Sequence, residues 1–299
     1  MKAKLKRTSC LKSYQVLRLK SVYRQAVSIR DRFMVILAVF LFALSASAYE
    51  RCSSILTNEF KIDFGAGIRD FQLRSPKLQL LVWNIHKGVD STLAEEYQFL
   101  SKYSDIVLFQ ESVSDVNFIK SIVNADSRIG WSQAKAYRNS KGVVAGVATG
   151  SKIMPYSETP VLSIVTEPIL NSPKSFMLTE YLIQGRQETL LVANMHAINF
   201  VTNSTFKKHI DQLVSHIRDH NGPMIVAGDF NTWNSGRTSY LESRMAELNL
   251  TETKTPQSGV LTLDHIFSRG LIPHGVHDLT FVKASDHSPL IVDFLIPGI

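Results

Sequence analysis

Three observations predict an α/β (α+β) protein in which sheets pack on one another with helices outside. The first is a series of eight short apolar segments of strand length. The second is four amphipathic stretches interposed among them, and the third is a composition of 44% hydrophobic and 20% charged residues. That balance buries a substantial core and excludes disordered, collagen-like and multi-pass membrane classes. Strands are expected over residues 78–85, 105–109, 143–149, 176–183, 189–195, 223–227, 261–267 and 289–295. Helices are expected over 92–102, 114–124, 205–220 and 239–248. The third of these carries Ile210, Leu213, Val214 and Ile217 at helical spacing. These elements share one domain spanning residues 77–299. Residues 50–76 hold Gly65, Gly67 and Pro76 without clean periodicity and read as a linker, or as a strand-and-loop approach to that domain.

The N-terminal region has a different character. The formal net charge is +7, but residues 1–32 carry ten Lys or Arg against a single acid, Asp31. The rest of the chain holds 23 basic and 25 acidic side chains and is mildly acidic. Residues 33–48, FMVILAVFLFALSASA, form an uncharged run that ends in Ala46-Ser47-Ala48. A basic segment, an apolar core and an A-x-A ending describe a signal peptide over residues 33–49. A retained membrane anchor is the rival, since sixteen residues fall just below the roughly 17–25 that span a bilayer. Both readings export the domain and associate residues 1–49 with the membrane; a buried helix instead would leave the chain cytoplasmic. For so long a basic segment two explanations stand. One is a juxtamembrane helix with Leu19, Val22, Tyr23 and Ala26 opposite Arg18, Lys20 and Arg24; the other is a start near Val27. Only two cysteines occur, Cys10 and Cys52, on opposite sides of the apolar run. No disulfide scaffold and no Cys-based zinc spacing is present.

Polar residues gather where the apolar strands end. Val82-Trp83-Asn84 ends one in an amide and Phe109-Gln110-Glu111 another in a carboxylate. Asn194-Met195-His196 ends a third in an imidazole. Gly228-Asp229-Phe230-Asn231 places two polar side chains two residues apart, on one side of an extended chain. Asp264 lies inside the apolar run Leu263–Phe267, where an ionised carboxylate needs a partner. Ser285-Asp286-His287 precedes the last strand. Singly, a strand-end Asp or Asn is more often a turn former, and a lone His a hydrogen-bonded core residue. What changes the reading is the set: three acids outside the hydrophobic strands, two amides and two histidines, recurring in this order. His265 should face away from Asp264 by strand alternation and is structural. Lys87 fits either phosphate contact or a solvated loop, and Trp233 either walls the site or packs. The Gly146–Lys152 segment misses the spacing of a phosphate-binding loop, and neither G-x-S-x-G nor H-E-x-x-H occurs.

The motifs WNI at 83–85, QE at 110–111, NMH at 194–196, GDFN at 228–231, LDHIF at 263–267 and SDHSP at 285–289 carry a family likeness. In this order the chain resembles the endonuclease/exonuclease/phosphatase (DNase I-like) superfamily over residues 78–296. WNIHKG, NMHAINF, AGDFNTW and ASDHSPL look most like the bacterial branch typified by YafD. The basic and apolar leader departs from that branch's cytoplasmic members. The resemblance implies a four-layer α/β/β/α sandwich of two mainly antiparallel sheets, with Mg2+ (or Mn2+) as cofactor. It implies Glu111, Asn84 and Asp286 as metal ligands, a set of hard oxygen donors suited to Mg2+. It implies Asp229 as the group that orients and deprotonates the attacking water, and Asn231 as holding that water and a phosphate oxygen. It implies that His287, hydrogen-bonded to Asp264, would bind the phosphoryl oxygen, and that His196 could protonate the leaving oxygen.

The function expected is metal-dependent hydrolysis of phosphate esters by a monomeric catalytic domain, chiefly of phosphodiesters as a nuclease or phosphodiesterase. An exported phospholipid or phosphomonoester hydrolase on the same site is the alternative, and a non-catalytic binding scaffold the third. The acidic body argues weakly against a nucleic-acid partner. No long apolar insertion marks a lipid partner.

Overall fold

In the computed structural model, the described residues are 60–65, 69–139, 141–168, 170–255 and 262–298. The expected signal peptide or anchor, the basic segment and both cysteines lie outside them. No helix among the described residues is long and apolar enough to cross a membrane.

Seven strands build the first sheet: β1 (Lys61–Phe64), β2 (Lys77–Asn84), β3 (Ile106–Val113), β4 (Gly130–Arg138), β5 (Val144–Ser151), β12 (Ile272–Asp278) and β13 (Leu290–Leu295). Their spatial order is β1-β4-β5-β3-β2-β13-β12. Six build the second: β6 (Ser157–Thr166), β7 (Pro173–Leu182), β8 (Thr189–His196), β9 (Met224–Asp229), β10 (Thr251–Glu252) and β11 (Asp264–Arg269). Here the order is β10-β11-β9-β8-β7-β6. Both sheets are mainly antiparallel, with one parallel pair each, β2 with β3 and β8 with β9.

Alternation along the strands explains the layers. On β2, Leu78, Leu80 and Val82 point between the sheets, where they meet Ile106, Leu108, Val192, Ile225, Ala227, Ile266 and Val292. Leu81 and Trp83 point the other way, into a cluster with Tyr97, Leu100, Phe118 and Ile122 from α1 (Leu93–Ser101) and α2 (Val116–Ala125). On the far side, Ala193, Met195, Val226 and Phe267 pack against α3 (Asn203–Ile217) and α4 (Ser235–Ala246) through Phe206, Ile210, Leu213, Leu241 and Met245. The result is the expected α/β/β/α sandwich. Each fully buried aliphatic or Phe side chain contributes about 1.5–3 kcal/mol against exposure.

Local chemistry starts the helices. Asp115 caps α2 by accepting from the backbone N–H groups of Asn117 (2.9 Å) and Phe118 (3.0 Å). Thr202 caps α3 and Asn234 caps α4, whose start at Ser235 lies before the expected residue 239. Five strands escape the periodicity pattern. β4 carries Ser132, Gln133 and Lys135 in place of an apolar run, yet it is buried on both faces between β1 and β5. β6 and β12 are edge strands that carry Pro160, and Pro273 with Gly275, residues that read as breakers. β1 lies in the approach segment, and β10 has two residues.

Candidate active site

The alternation that builds the inter-sheet core also builds the site. Following Val82, Leu108, Val192, Ala227 and Ile266 by two residues in the appropriate direction gives Asn84, Gln110, Asn194, Asp229 and Asp264, and His196 lies two beyond Asn194. The apolar layer between the sheets therefore ends in a polar one, with groups from both sheets facing each other. His265 points to the opposite face, where its Nδ1 meets Glu252 Oε1 at 2.6 Å and its Nε2 meets Thr232 Oγ1 at 2.6 Å.

Asp229 is the hub. Its Oδ2 accepts from Asn84 Nδ2 across the sheets (2.9 Å), and its Oδ1 accepts from the Asn231 backbone N–H (2.9 Å). The Nε2 atoms of His196 and His287 lie 3.5 and 3.9 Å from Oδ2. Burial raises the Asp229 carboxyl to about 7, and the Asp264 charge adds to the shift, while His287 and the two N–H donors oppose it. His287 Nδ1 meets Asp264 Oδ2 at 2.7 Å. Burial disfavours the imidazolium, but the Asp264 hydrogen bond and the charges of Asp264, Asp229 and Asp286 outweigh it and raise His287 to about 10. His196 moves the other way. Burial first, and then the Lys174 charge, hold it well below the ordinary histidine range.

Backbone strain places two of these groups. Glu111 adopts φ +55° at a bulge between Phe109 and Ser112. Strand alternation would send it with Phe109 toward the helices; instead it lines a cavity with His196, Lys87, Tyr137, Lys174 and Ser175. Asn231 adopts φ +52°, and its Nδ2 donates to the Ala197 carbonyl (3.0 Å). Left-handed conformations at non-glycine residues cost on the order of 1–3 kcal/mol and cluster at functional sites. Gly228 is obligatory for a different reason. At φ +137° its absent Cβ would sit 2.0 Å from the Met195 carbonyl and 3.1 Å from Gln110 Nε2.

Asp286 is exposed, 3.7 Å from His86 Nδ1, beside Ser285, whose hydroxyl donates to the Asn84 carbonyl (2.6 Å). Among the described residues there is no cluster of three or more His, Cys, Asp or Glu arranged to hold a metal. Mg2+ needs no such cluster, since it keeps several waters and takes one or two carboxylates. The donors fit that pattern. The Glu111 carboxylate lines the cavity beside Lys87, Tyr137 and Lys174. Asn84 Oδ1 accepts the His86 N–H (3.1 Å), and every candidate donor is a hard oxygen.

Three supporting residues carry no local sequence signal. Arg237 is buried, donates to the carbonyls of Asn231 (2.9 Å) and Val201 (2.7 Å), and stacks 4.4 Å from the Trp233 ring. It thereby ties the loop after Asp229 to the loop after His196. His209 accepts the Ile198 N–H at 3.1 Å beneath the second of these loops. Lys174 precedes an expected strand, and its largely buried side chain lines the cavity with Glu111 and His196.

The sequence profile of the Endonuclease/Exonuclease/phosphatase family matches residues 81–287. A UPF0294 protein of Vibrio cholerae serotype O1 is 34% identical over 227 residues, covering 73% of this chain and 78% of the relative. A UPF0294 protein of Klebsiella pneumoniae is 30% identical over 231 residues, covering 73% and 82%. Among solved structures, an endonuclease/exonuclease/phosphatase from Beutenbergia cavernae superposes with a TM-score of 0.58 at 17% identity, covering 74% of this chain and 72% of that one. Members of the matched family are generally hydrolases of phosphoester bonds. With its motifs, its sandwich and this layer of facing carboxylates, amides and imidazoles, the chain belongs to the endonuclease/exonuclease/phosphatase family.

Proposed function

We propose that the chain is a Mg2+- or Mn2+-dependent hydrolase of phosphate esters that acts on phosphodiesters. The observation that carries this reading is the buried Asp229 carboxylate. It is fixed by Asn84 and the Asn231 backbone, and it faces two imidazoles of opposite electrostatic character. A base with a proton affinity raised toward neutrality is suited to taking a proton from an attacking water. His287 stays cationic on its Asp264 support, so it places positive charge where negative charge grows on the phosphoryl oxygens. The Asn231 amide, held at the Ala197 carbonyl, sits next to the water-binding edge of Asp229. Burial and the Lys174 charge disfavour a cationic His196, and it is assigned as a hydrogen-bonding group on the leaving-oxygen side. Glu111, Asn84 and the adjoining Asp286 are assigned to the divalent cation, which supplies charge neutralisation at the phosphate.

The test uses the full chain with bis(p-nitrophenyl) phosphate beside p-nitrophenyl phosphate, in Mg2+, Mn2+ or EDTA, with Glu111→Gln as the blank. Diester cleavage that needs the metal and is lost in the blank is the expected outcome. Faster cleavage of the monoester would move the reading to a phosphatase. Equal rates in EDTA would overturn the metal assignment.

A further inference from the structure

Lys174 lines the cavity, and the reading above does not use it. It stands at the start of β7 with its side chain only 13% exposed, and its Nζ lies 3.3 Å from Glu167 Oε1. Glu167 is itself pinned. Its Oε1 accepts the Asn199 N–H at 3.1 Å and its Oε2 accepts from Ser172 Oγ at 3.3 Å. One reading is a clamp on the β6–β7 hairpin, since the pair spans that turn. A clamp does not require burial, and burying an ammonium costs several kcal/mol unless its other hydrogens are used. The Lys174 side chain lines a cavity together with Glu111, His196, Tyr137 and Ser175. Burial disfavours the Lys174 ammonium, but the charges of Glu167 and Glu111 outweigh it and hold it above the ordinary lysine range, and the Lys174 charge reaches His196 in turn.

Position within the site indicates which atom Lys174 meets. The cavity is lined by Glu111, His196 and Lys174, whereas Asp229, Asn231, Asp264 and His287 stand outside its wall. In an in-line displacement at phosphorus, the entering and leaving oxygens occupy opposite sides of the phosphoryl group. Water activated at Asp229 therefore directs the leaving oxygen toward the Lys174 side. We propose that the Lys174 ammonium, held by Glu167, hydrogen-bonds the leaving-group oxygen and stabilises the charge that develops on it. Asp229 takes the proton of the water as the new P–O bond forms. The electron pair of the breaking P–O bond goes to the leaving oxygen, which rests against the ammonium and takes a proton from solvent as it departs. This inference rests on the phosphodiesterase reading and assigns a leaving-group subsite within it.

The test is the dependence of kcat on leaving-group basicity across aryl methyl phosphodiesters, from 4-nitrophenyl to phenyl, at saturating Mg2+. For Lys174→Met the rate should fall about threefold or less with 4-nitrophenolate, which needs little help. It should fall about 100-fold with phenolate, the scale of removing one oxyanion donor. Lys174→Arg, which keeps the charge, should recover most of the phenyl rate. Far-ultraviolet circular dichroism and Tm confirm that each variant is folded. An equal loss across the series would make Lys174 a structural clamp and overturn the proposal, as would no loss at all. A wild-type enzyme that cleaves none of the esters in Mg2+ would instead overturn the phosphodiesterase reading on which the proposal stands.

Discussion

Asp264 and His287 divide the electrostatic work of the site between them. The 2.7 Å contact at Nδ1 leaves Nε2 pointing toward Asp229, and the surrounding carboxylates keep the ring protonated up to about 10. A histidine whose proton affinity is raised on folding contributes stability that is complete below its unfolded value, about 6.5, and lost as pH rises through about 10. Asp264→Asn removes the principal partner, so His287 should titrate closer to the ordinary range when followed by NMR of the imidazole. In EDTA, the stability difference between wild type and Asp264→Asn should shrink steadily from pH 6 to pH 10 in urea titrations. A difference independent of pH would mean that the pair is held by packing and not by charge. Most of this chemistry was legible at the residue scale, because Asp229 with Asn231, and Asp264 inside an apolar run, are local anomalies. Lys174 and Arg237 were not. Each gains its meaning from residues distant in sequence, Glu111 and His196 for the first, and Val201 and Asn231 for the second.

The two sheets are joined behind the site by a buried polar bridge at the level of single strands. Gln110 Nε2 on β3 donates to Asn194 Oδ1 on β8 (2.7 Å), and Asn194 Nδ2 returns to the Ala148 carbonyl of β5 (2.9 Å). Removing one partner strands buried donors and acceptors, whereas removing both replaces them with an apolar contact. Asn194→Leu should therefore cost about 2–4 kcal/mol. The double variant Gln110→Leu/Asn194→Leu should cost less than the sum of the singles by at least about 1 kcal/mol in chemical denaturation. Additive losses would show that the bridge does not couple the sheets. The QE and NMH motifs marked these positions as notable, yet only the inter-sheet register shows that Gln110 and Asn194 are structural while Glu111 and His196 face the cavity. Strand legibility followed burial. Strands between two apolar layers, such as β2, β3, β8 and β9, announced themselves as apolar runs. β4 is as deeply buried but uses Ser132, Gln133 and Lys135, whose polarity hides it. Edge strands β6 and β12 carry proline, which at an edge protects against further pairing and in sequence reads as a turn.

Across the whole molecule, the fold delivers the candidate site residues to one end of a sandwich. The C-terminal ends of β2, β3, β8 and β9 and the N-terminal ends of β11 and β13 converge there, through the parallel pairs and their antiparallel neighbours. This convergence brings Asn84, Asp229, Asp264 and His287 together, although 203 residues separate the first from the last. The net charge of the whole chain misleads on this point, because its excess positive charge sits in residues 1–32 and not around the site. The central claim is that Asp229 is the base of a water-mediated phosphodiester hydrolysis. Its most direct test is the turnover number of Asp229→Asn at saturating Mg2+ and diester substrate, with the fold verified by circular dichroism. A loss of about 100- to 10,000-fold, with Mg2+ affinity within a few fold of wild type, is the predicted result for removal of a general base. Turnover near the wild-type value would contradict the account.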